Sequence, residues 1–171
     1  PQQGGPAPID QTLVLINEFM LSIVQHHHRA MFRRSEDQFE GLVANAIDEL
    51  LRFVSPVQMS RRVVLHDITI RDKTIPKGMF VLTGLASANR DPEKWGPTAD
   101  DLDIAREGAA QHVSFGSGIH YCLGASLARL EAQVAIGTFV RRFPNARLAG
   151  DPEWNGRINL RGLEHLPVAV D

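Results

Sequence analysis

His112-Val113-Ser114-Phe115-Gly116-Ser117-Gly118-Ile119-His120-Tyr121-Cys122-Leu123-Gly124 contains the chain's single cysteine. A lone cysteine is most often a small buried hydrophobe, but these neighbours argue for a different role. Gly116, Gly118 and Gly124 let the backbone approach a flat ligand closely and turn N–H groups toward the sulfur. Phe115 supplies an aromatic wall. A free thiol has a pKa of about 8.5, so a thiolate at neutral pH needs stabilisation. The N-terminal N–H groups of a helix beginning near Leu123 provide some, and a bound metal deprotonates a coordinating thiol outright. Cys122 is therefore a candidate thiolate held open to a flat ligand.

Downstream, a helix is expected from about Leu123 to Phe143, with Leu123, Leu127, Leu130 and Val134 as its buried face. The tail runs Ile158–Leu160 and Leu166–Val170 suggest a closing hairpin. Upstream, residues 88–111 are rich in turn formers, among them Asp91-Pro92 and Gly96-Pro97. A long irregular stretch of that kind in a compact domain is commonly functional or disordered. Before it, Val63-Val64-Leu65, Ile68-Thr69-Ile70 and Met79–Leu82 read as strands of a small antiparallel sheet, punctuated by Arg71-Asp72-Lys73 and Pro76-Lys77-Gly78. A helix from about Phe39 to Val54 carries the stripe Val43, Ile47, Leu50, Val54 and stops at Pro56. An earlier helix spans about Asp10 to Val24. The three histidines at 26–28 point about 100° apart if helical, so they cannot converge on one ion.

The string Phe-Gly-x-Gly-x-His-x-Cys-x-Gly (115–124), followed by Ala125-Ser126-Leu127-Ala128-Arg129-Leu130-Glu131, resembles the proximal haem loop and following helix of the cytochrome P-450 family. Glu49-Leu50-Leu51-Arg52 matches that family's E-x-x-R motif, whose residues share one helix face. Asn89-Arg90-Asp91-Pro92 resembles the family's run ahead of its irregular stretch. The resemblance implies a mainly α fold with small antiparallel β-sheets, the C-terminal portion of the haem-thiolate fold, with residues 1–171 forming a single partial domain. It implies haem b (iron protoporphyrin IX) with its axial thiolate from Cys122, and Phe115, Gly116, His120, Gly124 and Arg62 as further cofactor-binding residues. Within that set, Arg62 and His120 correspond to partners of the haem propionates, with Arg61 as the runner-up to Arg62. Glu49, Arg52 and Arg106 form the implied structural ion-pair motif, and Val57, Gln58 and Met59 fall where family members line the substrate pocket.

The implied activity is that of a monooxygenase inserting one oxygen atom from dioxygen into a small apolar organic substrate, with electrons from a ferredoxin-type donor. Histidine at position 120 resembles soluble bacterial members, which implies a cytoplasmic protein. The catalytic candidates are Asp10 and Thr12, from the run Ala7-Pro8-Ile9-Asp10-Gln11-Thr12. This run departs from the family's A-G-x-(D/E)-T: Pro8 replaces glycine, and Gln11 stands where the threonine is expected. Pro8 suits a helix start, so Asp10 reads equally as a helix cap or first-turn acid. A catalytically inactive, truncated haem-binding remnant is the alternative those departures motivate. The resemblance covers less than half of the family's domain.

Composition sets outer bounds. With 171 residues, 43% hydrophobic and 22% charged, and a net charge of −2, the chain can form one core of ordinary size. The charge balance gives no basic face for nucleic acid. No run approaches the roughly 18 apolar residues of a membrane span. A single cysteine rules out a disulfide within the chain, and one cysteine among scattered histidines lacks the spacing of a zinc site.

Overall fold

The computed structural model describes residues 19–21 and 36–170. Residues 19–21 are helical and buried, and Phe19 and Met20 enter the core. Helix α1 (Glu36–Val54) starts three residues earlier than its periodicity suggests. Ile47 and Leu50 are fully buried, and Val43 and Val54 pack at the margin of the same cluster. The helix ends at Ser55, whose φ of 45° turns the chain before Pro56.

Strand β1 (Met59–Val63) pairs antiparallel with β4 (Phe80–Gly84), in a register from Met59 opposite Gly84 to Val63 opposite Phe80. Nested between them, β2 (Ile68–Ile70) pairs with β3 (Lys73–Ile75) across the tight turn Arg71-Asp72. The first strand therefore begins earlier than the Val63–Leu65 run indicates. Lys73, read as punctuation, belongs to a strand, because the turn needs only two residues and Arg71 takes the positive φ of 55°.

Two short helices follow, α2 (Leu85–Ala88) and α3 (Pro92–Trp95). The Asp91 carboxylate accepts the Glu93 N–H, and Pro92 occupies the first helical position. The chain from there to 117 is irregular apart from one 3₁₀ turn at Ala109–Gln111. A second such turn covers Gly118–His120.

Helix α4 (Ala125–Arg142) corrects two expectations. It begins at Ala125 rather than Leu123. Its packed face is Ala125, Ala132, Ile136 and Val140, not the leucine stripe: Leu123, Leu127, Leu130 and Val134 are all exposed. The two stripes lie on opposite sides of the helix. The one with alanines is the one that can approach α1 closely, joining Ala46, Ile47, Leu50 and Leu51 in the core.

The tail is also corrected. Ile158–Leu160 does not pair with Leu166–Val170. Instead β5 (Arg147–Leu148) pairs with β8 (Val168–Ala169), and β6 (Glu153–Trp154) with β7 (Leu163–His165). Leu160 bridges back to Val57, with the Gln58 N–H on the Asn159 carbonyl and the Arg161 N–H on that of Pro56. This draws the tail against the segment that joins α1 to β1. Among the described residues, no helix is long and apolar enough to cross a membrane.

Candidate cofactor site

The cysteine loop is a closed hairpin of backbone. The Cys122 N–H donates to the Phe115 carbonyl at 2.9 Å, Gly116 N–H to Val113 at 2.8 Å, and Tyr121 N–H to Gly118 at 3.1 Å. Gly116 (φ 73°) and Gly118 (φ 64°) take the left-handed conformations the hairpin needs. At Gly124 an added Cβ would stand 3.9 Å from the Cys122 sulfur, so the glycine keeps the approach to the thiol open. The Cys122 carbonyl in turn accepts the first N–H of α4, from Ala125.

The thiol faces a cavity of about 590 Å³, well inside the range of about 300–1,000 Å³ usual for cofactor pockets. Cys122, Phe115, Gly116, His120, Gly124 and Arg62 all line it, so the structure gathers into one space every residue assigned to cofactor binding from the sequence. Arg61 lines it as well, so the geometry does not choose between the two arginines. The Arg62 guanidinium folds back onto the Ser60 hydroxyl and the Arg61 carbonyl. Val57 and Met59 reach the cavity wall. Gln58 is absent from that wall, its amide being bonded to the Ser55 carbonyl. Leu127, Ala128 and Glu131 of α4 and Asn159-Leu160 of the tail also line the cavity. The α4 residues belong to the run quoted directly after the cysteine loop, whereas Asn159-Leu160 went unread because it lies far from the loop in the chain. Asp10 and Thr12 lie outside the described residues.

A flat, mostly apolar cofactor with anionic substituents fits these walls. The glycines offer a cradle, the thiol a soft ligand, and Arg61, Arg62 and His120 positive or proton-donating groups. Among the described residues no cluster of His, Cys, Asp and Glu could cage a bare metal ion.

The charged triad is buried and takes no part in the cavity lining. Glu49 and Arg52 are completely buried and Arg106 is 9% exposed. The Arg52 Nε and Nη2 donate to the two Glu49 oxygens at 2.7 and 2.9 Å, and the Arg106 Nε donates to Glu49 Oε1 at 3.0 Å. The remaining N–H groups of Arg52 meet the carbonyls of Asn89, Ala99 and Asp101. Arg106 adds those of Thr98 and Asp101. The irregular stretch is thus held by guanidinium donors gathering backbone carbonyls that no helix or sheet would satisfy. Asn89, also fully buried, ties it to the cysteine loop: it donates to the Ser55 and Ser114 hydroxyls and accepts the Val113 N–H.

A second polar cluster, unforeseen from the sequence, lies on the α4 side of the loop. Asp48 accepts from Arg129 Nε at 2.7 Å and contacts His112 Nε2 at 3.2 Å through the same oxygen. Burial alone would push the Asp48 carboxyl up, but the bonds from His112 and Arg129 and the Arg129 charge outweigh it and hold the group below its ordinary range. Burial works against the Arg129 cation, and the bonds to Tyr121 and Asp48 more than offset it, raising its pKa.

The family model for cytochrome P-450 matches residues 22–154. The chain belongs to the cytochrome P-450 family. The polyketide biosynthesis cytochrome P-450 PksS of Bacillus subtilis is 38% identical over 168 residues, a match covering 96% of this chain and 40% of that protein. The biotin biosynthesis cytochrome P-450 of the same organism is 42% identical over 164 residues, covering 95% and 40%. Among solved structures, P450BioI in complex with an acyl carrier protein ligated to hexadec-9Z-enoic acid superposes with a TM-score of 0.85 at 41% identity, covering 94% of this chain and 41% of that one. The tirandamycin C-bound monooxygenase TamI gives 0.84 at 40% identity, covering 94% and 41%. The chain thus spans about two fifths of the length of the cytochrome P-450 proteins it matches, and its helices and small antiparallel sheets are a portion of their fold.

Proposed function

We propose that this chain is the haem-binding part of a monooxygenase that inserts one oxygen atom from dioxygen into a small apolar organic substrate, with electrons from a ferredoxin-type donor. Haem b would supply the activation of dioxygen, with the Cys122 thiolate as the ligand that tunes it. The observation that carries the reading is the convergence of Cys122, Phe115, Gly116, His120, Gly124 and Arg62 on one cavity. In it Cys122 ligates the iron, and the backbone hairpin and α4 fix the direction of its sulfur. Phe115 walls off water on that side. His120 and Arg62 pair with the cofactor's carboxylates, and Val57 and Met59 face the substrate. Asp10 and Thr12 are assigned the handling of protons at the reacting face. The substrate class follows the apolar character of the wall, and the related proteins act in polyketide and biotin biosynthesis. A single partial domain working in the cytoplasm completes the proposal.

The test is the absorption spectrum of the haem-reconstituted chain, reduced and bound to carbon monoxide. The expected result is a red-shifted thiolate-type Soret band that disappears in Cys122→Ala. A band unchanged by that substitution, or no thiolate band in the unmodified chain, overturns the assignment. Substrate turnover with a ferredoxin donor then separates the enzyme from an inactive haem-binding remnant.

A further inference from the structure

We propose that Arg129, anchored by Asp48, is a positioning residue that clamps the cysteine loop on both sides of Cys122. Arg129 lies on the α4 stripe that packs against α1, in line with Ala125, Ala132, Ile136 and Val140. A guanidinium in such a row is costly unless its charge is met, and Asp48 of α1 meets it at 2.7 Å.

The remaining surfaces of Arg129 are spent on the loop. Nη1 donates to the Tyr121 hydroxyl at 3.1 Å, and the guanidinium carbon lies 4.8 Å from the centre of the Phe115 ring. Tyr121 adjoins Cys122 in sequence, and Phe115 is joined to Cys122 by the 2.9 Å backbone bond. One side chain therefore grips both arms of the hairpin that presents the sulfur.

The entry of the loop is held by the same carboxylate. His112 Nδ1 accepts the Ser114 N–H at 3.1 Å, which places the ring proton on Nε2, and Nε2 donates to Asp48. Arg129 Nη2, 3.5 Å from that nitrogen, is then a neighbour rather than a partner. Asp48 and Glu49 are adjacent on α1 yet serve separate networks, one fastening the cysteine loop and the other the irregular stretch.

The clamp depends on the planar fork of arginine. Lysine keeps the charge and can pair with Asp48, but it has no second nitrogen for Tyr121 and no plane to stack on Phe115. The proposal takes Cys122 as the axial ligand, and two readouts separate its failure from the failure of that assignment. The first needs no haem. The Cys122 N–H is bonded to the Phe115 carbonyl across the hairpin, so hydrogen–deuterium exchange at that amide in the cofactor-free chain reports on the loop alone. Arg129→Lys is expected to raise the exchange rate of that amide about tenfold and Tyr121→Phe by a smaller factor, as one charge-assisted bond and one ring contact are lost. The second is the reduced, carbon monoxide-bound spectrum of the haem-loaded chain, in which the thiolate band should decay faster in Arg129→Lys than in the unmodified protein. Exchange rates at the Cys122 amide equal to the unmodified chain's in both variants overturn the clamp, whatever the spectra show. Absence of a thiolate band in the unmodified chain refutes the ligand assignment while the amide exchange still decides the clamp. If Arg129→Lys fails to fold by circular dichroism, Tyr121→Phe, which alters one half-exposed hydroxyl, decides it alone.

Discussion

A buried ion pair is weak evidence for stability, because desolvating two charges can cost more than their attraction returns. In the Glu49–Arg52–Arg106 triad the backbone partners change that balance. Arg52 uses its donors on two carboxylate oxygens and on the carbonyls of Asn89, Ala99 and Asp101. Glu49 Oε1 also accepts the Asp103 N–H. Arg52→Lys keeps the charge, yet an ammonium cannot span both carboxylate oxygens and three carbonyls. Buried acceptors would be stranded, so we expect a loss of about 3–5 kcal/mol in urea unfolding. A loss below about 1 kcal/mol, the scale of an exposed pair, would mean that the carbonyls find other donors. This network was half legible in the sequence. The i,i+3 spacing of Glu49 and Arg52 fixes the pair on one helix face, and the resemblance supplied Arg106. The carbonyl acceptors were invisible, since every residue carries one. Asp48, His112 and Arg129 went unread for a related reason: they lie on three separate elements, and none has a local spacing that marks it.

At the scale of the element, α4 shows how a hydrophobic period can be real and still indicate the wrong face. Leu123, Leu127, Leu130 and Val134 form a proper helical stripe, and Leu127, Leu130 and Val134 are respectively 60, 56 and 60% exposed. The opposite stripe mixes alanine with Ile136 and Val140 and so registers weakly by hydropathy, yet small side chains are what let α4 settle against α1. The cysteine loop was legible because its glycines and cysteine are local and their spacing is fixed. The tail was not, because β5 pairs with β8 across the intervening β6–β7 pair, and no turn signal marks that long-range register. The two faces of α4 predict opposite outcomes for similar truncations. Ile136→Ala, at a fully buried site, should cost about 2–5 kcal/mol. Leu130→Ala should fall within about 0.5 kcal/mol of the parent. Chemical denaturation of both variants checks the pair, and the reverse ranking would mean that the leucine stripe is the packed one.

Across the whole molecule, the same uncovered face has a counterpart on the strands. Two-stranded hairpins are marginal in water without something packed on one side, and among the described residues β1–β4 and β2–β3 are each a pair with no third strand. Phe80 is 75% exposed, and Leu65, Ile70 and Leu82 are also open to solvent. Apolar patches on monomeric proteins rarely exceed a few hundred Å² without serving as an interface. The relatives carry far more chain than the two fifths matched here, so their folds have additional polypeptide available to meet such faces. Studied as 171 residues, this chain should instead meet itself. Sedimentation velocity is expected to show larger species that grow with concentration, together with strong binding of an apolar fluorescent dye. The double variant Phe80→Lys, Leu130→Lys places one charge on each exposed face without touching the core, the triad or the cavity wall, since neither residue lines that wall. It should shift the distribution toward monomer and reduce dye binding while leaving the urea midpoint of the fold nearly unchanged. A monomeric profile for the unmodified chain at all concentrations would contradict the argument. So would a double variant that associates as strongly as the parent, because the contacts would then lie elsewhere than on the two faces that the described residues leave bare.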